Sequence, residues 1–353
     1  MKDERKAYYW LHTSGLSLRR QHVLHDIYGD PCDIISDLSS DKLREFCGNA
    51  YERMAQRADE ELINNELYSV SRKKLRLLVA GNDGYPAKLT ECEKYFPFIL
   101  YAKGNCELLS KPALAIVGSR ASTDYGKRVA TEWTEELAKT FVIVSGHATG
   151  IDSYALKSAL TAGGNAICVL ACGHDKFELP DYMKDAGDRL LIISAYRPDA
   201  RANKYVYFER NRLMSGISDG VLVVEAGAKS GALITARAAA EQGKQVFSVP
   251  GSVNSTRSAG TNGLLRSGAT AATSPYDILE DMGYESRLTA HSVNLTGERA
   301  AVAEILRDGD IHFDDISAML GKSAGETAEL LGDMEMEGLI ERKMMNYYSL
   351  LVR

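Results

Sequence analysis

The sequence contains no run of about 18 apolar residues, which leaves no candidate for a membrane-spanning helix. Its first residues, MKDERKAYYW, are charged at once and have no apolar stretch behind them, unlike a secretory signal. A cytoplasmic protein is therefore expected. None of the six cysteines forms a CxxC pair, and none of the seven histidines sits in an HExxH-like ligand spacing. The closest cysteines, Cys168 and Cys172, lie in NAICVLACG, which reads as a buried strand running into a turn. Small core hydrophobes in a reducing compartment explain them better than a disulfide or a metal, and no metal or cofactor is expected. The phosphate-binding fingerprints GxGxxG and Walker A are missing too.

A strong charge of one sign is also lacking. The net charge is −6 over 353 residues, which taken whole speaks against a nucleic-acid binder. The average hides regional differences. Residues 1–76 are neutral, residues 201–270 carry a net +5, and residues 296–353 carry a net −6. The length implies two or three domains, and a 45% hydrophobic composition is enough for an ordinary core.

Residues 1–76 read as a small all-α domain. Helix-like spacing covers Arg5–Thr13, Leu18–Tyr28, Pro31–Leu38, Asp41–Cys47 and Glu52–Asn64, with Gly15, Gly29 and Gly48 between. Residues 77–284 alternate. The runs LRLLVA, FPFILYA, ALAIVG, FVIVSG, AICVLACG, RLLIISA, GVLVVEA and KQVFSVPG read as strands. Amphipathic stretches Tyr125–Lys139, Ser153–Ala162 and Ala232–Gln242 separate several of them. This is the pattern of an α/β fold with a parallel sheet, whose ligands gather at the strand C-termini. Residues 284–295 read as a linker. In residues 296–353, a helix capped by Thr296 (Gly297–Arg307), helices His312–Leu320 and Ser323–Glu337, and strands Leu339–Arg342 and Tyr347–Leu351 give a winged-helix order.

Four segments point to phosphate and base recognition. In ALAIVGSR a strand ends in Gly118, Ser119 and Arg120 before a helix. Gly118 can let the backbone approach a phosphate, Ser119 can donate a hydrogen bond and Arg120 can pair with the anion, although the segment suits a tight turn with a solvent-exposed arginine equally well. In VSGHATGID a second strand ends in Gly146 and Gly150, and Asp152 caps the next helix more economically than it serves as a base. In YVYFERNRLMSGISDG, Arg210 and Arg212 are interleaved with Tyr205, Tyr207 and Phe208, which suits either single-strand binding or core packing with surface ion pairs. In VLVVEAGAKSGALITARAAAEQGKQVFSVPG, Glu225 ends a strand, Ser230 and Gly231 open a helix, and Lys244 precedes the next strand.

Taken in order, GSR with DYG, SGxAxGID, RNRLMSGxSDGVLVVEA, SGALITAxxAxxxGKxVFxVPG and SxGTNxLLxxGA resemble the DprA/Smf DNA-processing family. The resemblance runs from about Asn82 to Gly283 and extends more weakly to both ends. It implies an extended Rossmann-like, parallel or mixed sheet core, an N-terminal domain similar to a sterile-alpha-motif fold, and a C-terminal winged helix. It further implies single-stranded DNA binding, a homodimer, and help in loading a RecA-type recombinase during natural transformation, without catalysis. The DNA-binding residues it implies are Gly118, Ser119, Arg120, Gly146, Gly150, Asp152, Phe208, Arg210, Asn211, Arg212, Ser230, Gly231 and Lys244. The chain departs from the family pattern at Thr149, where an arginine is usual, and at Leu179-Pro180 and SAYRPDARANKY.

The third helix of the winged unit holds Glu326, Glu329, Asp333, Glu335 and Glu337 and no cation. Phosphates repel such a surface, so this unit is expected to contact protein rather than DNA. The competing class is a nucleotide-hydrolysing enzyme or a nucleotide sensor on a related fold. Its PGGxGTxxE signature is absent from EAGAKSGALITA, and His147 and His174 lie on turns without a nucleophile motif.

Overall fold

A computed structural model describes residues 3–284, 297–307, 309–337 and 339–350. Six helices come first: α1 (Glu4–Thr13), α2 (Leu18–Tyr28), α3 (Pro31–Ser36), α4 (Asp41–Cys47), α5 (Tyr51–Gln56) and α6 (Glu60–Arg72). The carboxylates of Asp3, Asp30 and Asp59 accept backbone N–H groups at the starts of α1, α3 and α6. Asp59 also breaks the single helix expected over Glu52–Asn64. It takes the N–H groups of Glu61 and Leu62, so the chain leaves α5 after Gln56 and restarts at Glu60.

One sheet follows, built from β1 (Arg76–Val79), β2 (Ile99–Gly104), β3 (Ala113–Val117), β4 (Val142–Ser145), β5 (Ala166–Val169), β6 (Leu190–Ser194), β7 (Gly220–Val223), β8 (Gln245–Ser248) and β9 (Thr270–Ala271). Its order is β1-β2-β6-β5-β4-β3-β7-β8-β9. All eight apolar runs are strands, and β9 is a two-residue addition that no apolar run announces. From β6 to β9 the pairing is parallel, whereas β1–β2 and β2–β6 are antiparallel, so the sheet is mixed. Every residue of β3 to β7 is buried, which is why those runs show no polar alternation.

Between the strands run α7 (Ala87–Cys92), α8 (Asp124–Leu137), α9 (Ile151–Thr161), α10 (Asp181–Lys184), α11 (Lys204–Gly216), α12 (Ala232–Glu241), α13 (Ala259–Arg266) and α14 (Pro275–Asp281). Tyr9 and Trp10 of α1 share one hydrophobic core with Phe98 and Tyr101 of the sheet segment. The indole N–H of Trp10 donates to the Met54 carbonyl at 2.9 Å. The boundary expected at residues 76–77 is thus crossed by a continuous core, and the first compact unit ends at Ile278.

The second unit begins at Leu279. It holds α15 (Glu298–Ile305), β10 (Ile311–His312), α16 (Phe313–Leu320), α17 (Ala324–Met336), β11 (Ile340–Arg342) and β12 (Tyr347–Leu350). The strands pair antiparallel in the order β10-β12-β11 over a core of Val302, Ile316, Leu331, Met334 and Ile340. The S-x-x-E pattern forms a full capping box between Ser323 and Glu326. This is a winged helix. Gly297 stands at the cap of α15, while Thr296 and the linker beyond Tyr284 lie outside the described residues. No helix among the described residues is long and apolar enough to cross a membrane.

Candidate functional site

Strand β3 pairs with β4 on one side and β7 on the other. The crossovers therefore diverge at β3, and a crevice opens beyond the C-terminal ends of β3 and β7. A cleft of about 540 Å³ lies there. Its walls are the turn after β3, the turn after β7, the start of α9, and one face of α11.

Glycine is required at two points beside it. Gly150 has φ +92°, and a Cβ there would meet the Ser119 carbonyl at 2.2 Å, so the two turns touch backbone to backbone. At Gly146 a Cβ would fall 1.3 Å from Arg210 Nη1. The missing side chain is what lets the Arg210 guanidinium lie at the sheet edge, only 4% exposed.

Arg210 Nη1 donates to the Val169 carbonyl at 3.3 Å and stands 4.0 Å from Asp152 Oδ2. Its Nε meets no acceptor among the described residues. Asp152 is itself buried. Burial pushes its carboxyl up, opposed by Arg210 and by the backbone N–H groups of Gly118, Ala148 and Gly146. Glu225, also buried, accepts the N–H of Thr123 at 2.8 Å, just before α8. Both carboxylates are thus engaged with backbone donors.

Two guanidinium groups approach the Tyr207 ring: Arg120 Cζ is 5.1 Å and Arg210 Cζ 5.8 Å from its centroid. Asn211 Nδ2 donates to the Gly231 carbonyl at 3.2 Å, tying α11 to the start of α12. Arg257 Nη1 donates to the Ala121 carbonyl at 2.6 Å across the turn after β3. Four cations line the cleft, Arg120, Arg210, Lys229 and Arg257, against the single carboxylate of Asp152.

Of the residues expected from sequence, Gly118, Ser119, Arg120, Asp152, Arg210, Asn211, Ser230 and Gly231 line this cleft. Gly146 lines an adjoining hollow of about 270 Å³ that shares Arg120, Tyr207 and Arg210 and also holds Thr149. Gly150 supports the cleft through its contact with Ser119.

Three expected residues fall elsewhere. Arg212 pairs with Glu93 at 2.8 Å and with Glu241 at 2.5 Å. Phe208 is 49% exposed, with the Arg212 guanidinium 5.9 Å from its ring. At 3.6 residues per turn, positions 207, 210, 211 and 214 share a face of α11, and 208 and 212 do not. Lys244 sits where the chain enters β8, at the N-terminal edge of the sheet, and its N–H donates to the Ala239 carbonyl. The cleft is at the opposite edge. Conversely, Tyr207, Lys229 and Arg257 belong to the cleft but are not among the DNA-binding residues that the resemblance implies. Helix phase along α11 is the signal that separates Tyr207 from Phe208.

Residues 76–283 match the DNA recombination-mediator protein A family, and residues 287–343 match the DprA winged helix domain. The chain belongs to the DNA recombination-mediator protein A family. It is 38% identical over 209 residues to DNA processing protein DprA of Streptococcus pneumoniae, covering 58% of this chain and 73% of that protein. To protein Smf of Escherichia coli it is 37% identical over 227 residues, covering 63% of this chain and 60% of Smf. The X-ray structure of the S. pneumoniae protein superposes with a TM-score of 0.67 at 31% identity, over 81% of this chain and all of that one. DNA processing protein A of Helicobacter pylori, studied for its single-stranded DNA binding mode, matches with a TM-score of 0.51 at 32% identity, over 59% of this chain and 95% of that one.

Proposed function

We propose that the cleft binds single-stranded DNA and that the chain acts without catalysis, passing the bound strand to a RecA-type recombinase. The observation that carries this reading is the charge balance of the cleft: four cations face one carboxylate that is already engaged. Arg120, Lys229 and Arg257 hold phosphate oxygens, and the turns at Gly118–Arg120 and Ser230–Gly231 bring the backbone close to them. Tyr207 offers a ring face for a base, which is sequence-tolerant because every base has a π-face. The engagement of Asp152 and Glu225 by backbone donors leaves neither poised as a general base, which favours binding over hydrolysis.

The acidic surface of α17 repels phosphate, so the winged unit is assigned a protein partner. A homodimer is proposed from the family alone.

The test is titration of a fluorescent oligothymidine and of a matched duplex across a salt series, with Arg120→Ala alongside. The strand binds more tightly than the duplex, and log K falls with log salt by roughly 0.7 per phosphate contacted. Arg120→Ala lowers both the affinity and that slope. Absence of single-strand binding at low salt sinks the assignment.

A further inference from the structure

The first turn of α1, the last turn of α6 and the start of β1 enclose a hollow of about 640 Å³. Arg5, Lys6, Lys74 and Arg76 line it against the single carboxylate of Asp3. Asp3 is engaged in capping α1, and Lys6 pairs with Glu60 at 2.9 Å. Arg5, Lys74 and Arg76 are exposed and have no ion-pair partner among the described residues. The chain gathers charge of one sign here: between Glu66 and Asp83 it has four cations, in SRKKLR, and no carboxylate.

Cations at a helix C-terminus ordinarily answer its free carbonyls. At the end of α6 those carbonyls are already taken, because the N–H groups of Lys73, Lys74 and Leu75 donate to Ser69, Ser71 and Val70. Arg5 and Arg76 come from other elements. Lys74 is held at φ +55°, the left-handed position that closes the helix and where glycine is the favoured residue. A lysine there is kept at a cost to the fold, which marks its charge as useful.

The hollow is joined to the edge of the sheet that carries the cleft. Lys73 Nζ pairs with Asp175 at 2.5 Å, in the turn that follows β5. Two residues on, Phe177 lines the small hollow beside the cleft, together with Arg120 and Tyr207. Asp175 is thereby neutralised, and its neighbour Lys176 is exposed. From β3 to β1 the sheet runs β3-β4-β5-β6-β2-β1, five spacings of about 4.8 Å, or roughly 24 Å.

We propose that this basic hollow is a second phosphate-contact site, which holds the same single strand about seven nucleotides from the cleft, at about 3.4 Å per stacked nucleotide. The proposal rests on the reading of the cleft as a single-strand site. Continuity with that edge favours a nucleic-acid strand over an acidic protein segment.

The test compares a four-nucleotide and a twenty-nucleotide oligothymidine on the full chain, wild type against the triple variant Arg5→Gln, Lys74→Gly, Arg76→Gln, across a salt series. The short strand reaches only one site and also reports that the variant is folded. The expected result is unchanged binding of the short strand. Affinity for the long strand falls about tenfold, and its salt slope falls by roughly 2, at about 0.7 per phosphate lost. Equal binding of the long strand to both proteins overturns the proposal and leaves the cleft reading intact. Equal weakening of both strands overturns it too, since that reports a change of net charge and not a contact. Absence of binding by either strand to the wild type removes the cleft reading and this proposal with it.

Discussion

The guanidinium of Arg210 occupies the space that a side chain on Gly146 would fill. Gly146→Ala therefore pushes this group out of place. Because the far end of a side chain yields more readily than backbone, the cost to stability is modest, about 1 kcal/mol. The cost to oligothymidine affinity is larger, about tenfold or more, and is shared with Arg210→Ala. The double variant binds no worse than the worse single one, since both remove the same positioned cation. Additive losses in a double-mutant cycle would separate the two residues.

Tyr207 and Phe208 are adjacent aromatics on different faces of α11, and only Tyr207 lines the cleft. Tyr207→Ala removes a stacking surface worth about 1–3 kcal/mol, or about 5- to 150-fold in affinity. Phe208→Ala changes affinity by less than about twofold. Fluorescence anisotropy on both variants decides which ring meets the base.

Arg212 holds the buried Glu93 carboxylate, with Gln242 Nε2 at 2.8 Å and the Tyr95 N–H at 3.4 Å as further donors. Arg212→Ala lowers stability by about 1–3 kcal/mol by depriving Glu93 of a charged partner. It leaves the salt dependence of DNA binding unchanged. Thermal melting beside a salt series distinguishes this from a phosphate contact, which would lower the slope instead.

Burial lowers the pKa of His12 from 6.5 to about 4, and it also lowers His22, His147 and His174. In that window the unfolded chain binds protons that the folded chain refuses. Stability from this source is present above about pH 6.5 and is lost as pH falls toward 4, at up to about 1.4 kcal/mol per pH unit for one full proton. Chemical denaturation of His12→Gln across this range gives a shallower curve than the wild type. The difference between the curves isolates His12 from carboxylates such as Asp152, whose raised pKa acts in the opposite sense.

The strands were legible because burial on both faces writes itself as continuous apolar runs, and β3 to β7 are buried throughout. The antiparallel edge was not, because pairing direction leaves no local mark in β1 or β2. Turn residues such as Gly118, Ser119 and Arg120 were legible because a strand, a glycine and a helix start define the place of a ligand. The face of α11 was not, because a segment as rich in aromatics and arginines as YVYFERNR reads the same at any helix phase. Once Asn203 caps the helix, its phase divides Arg210 from Arg212. Lys244 was misplaced for a related reason, since chain proximity to α12 says nothing about which end of that helix faces the ligand.

Helix α11 touches the cleft with Tyr207, Arg210 and Asn211 and an apolar hollow against the N-terminal helices with Glu209, Arg212 and Leu213. The helix is thus a wall common to both, and a substitution that displaces it at one hollow reshapes the other. The basic edge of the sheet and the hydrophobic seam beneath the N-terminal helices share one partition.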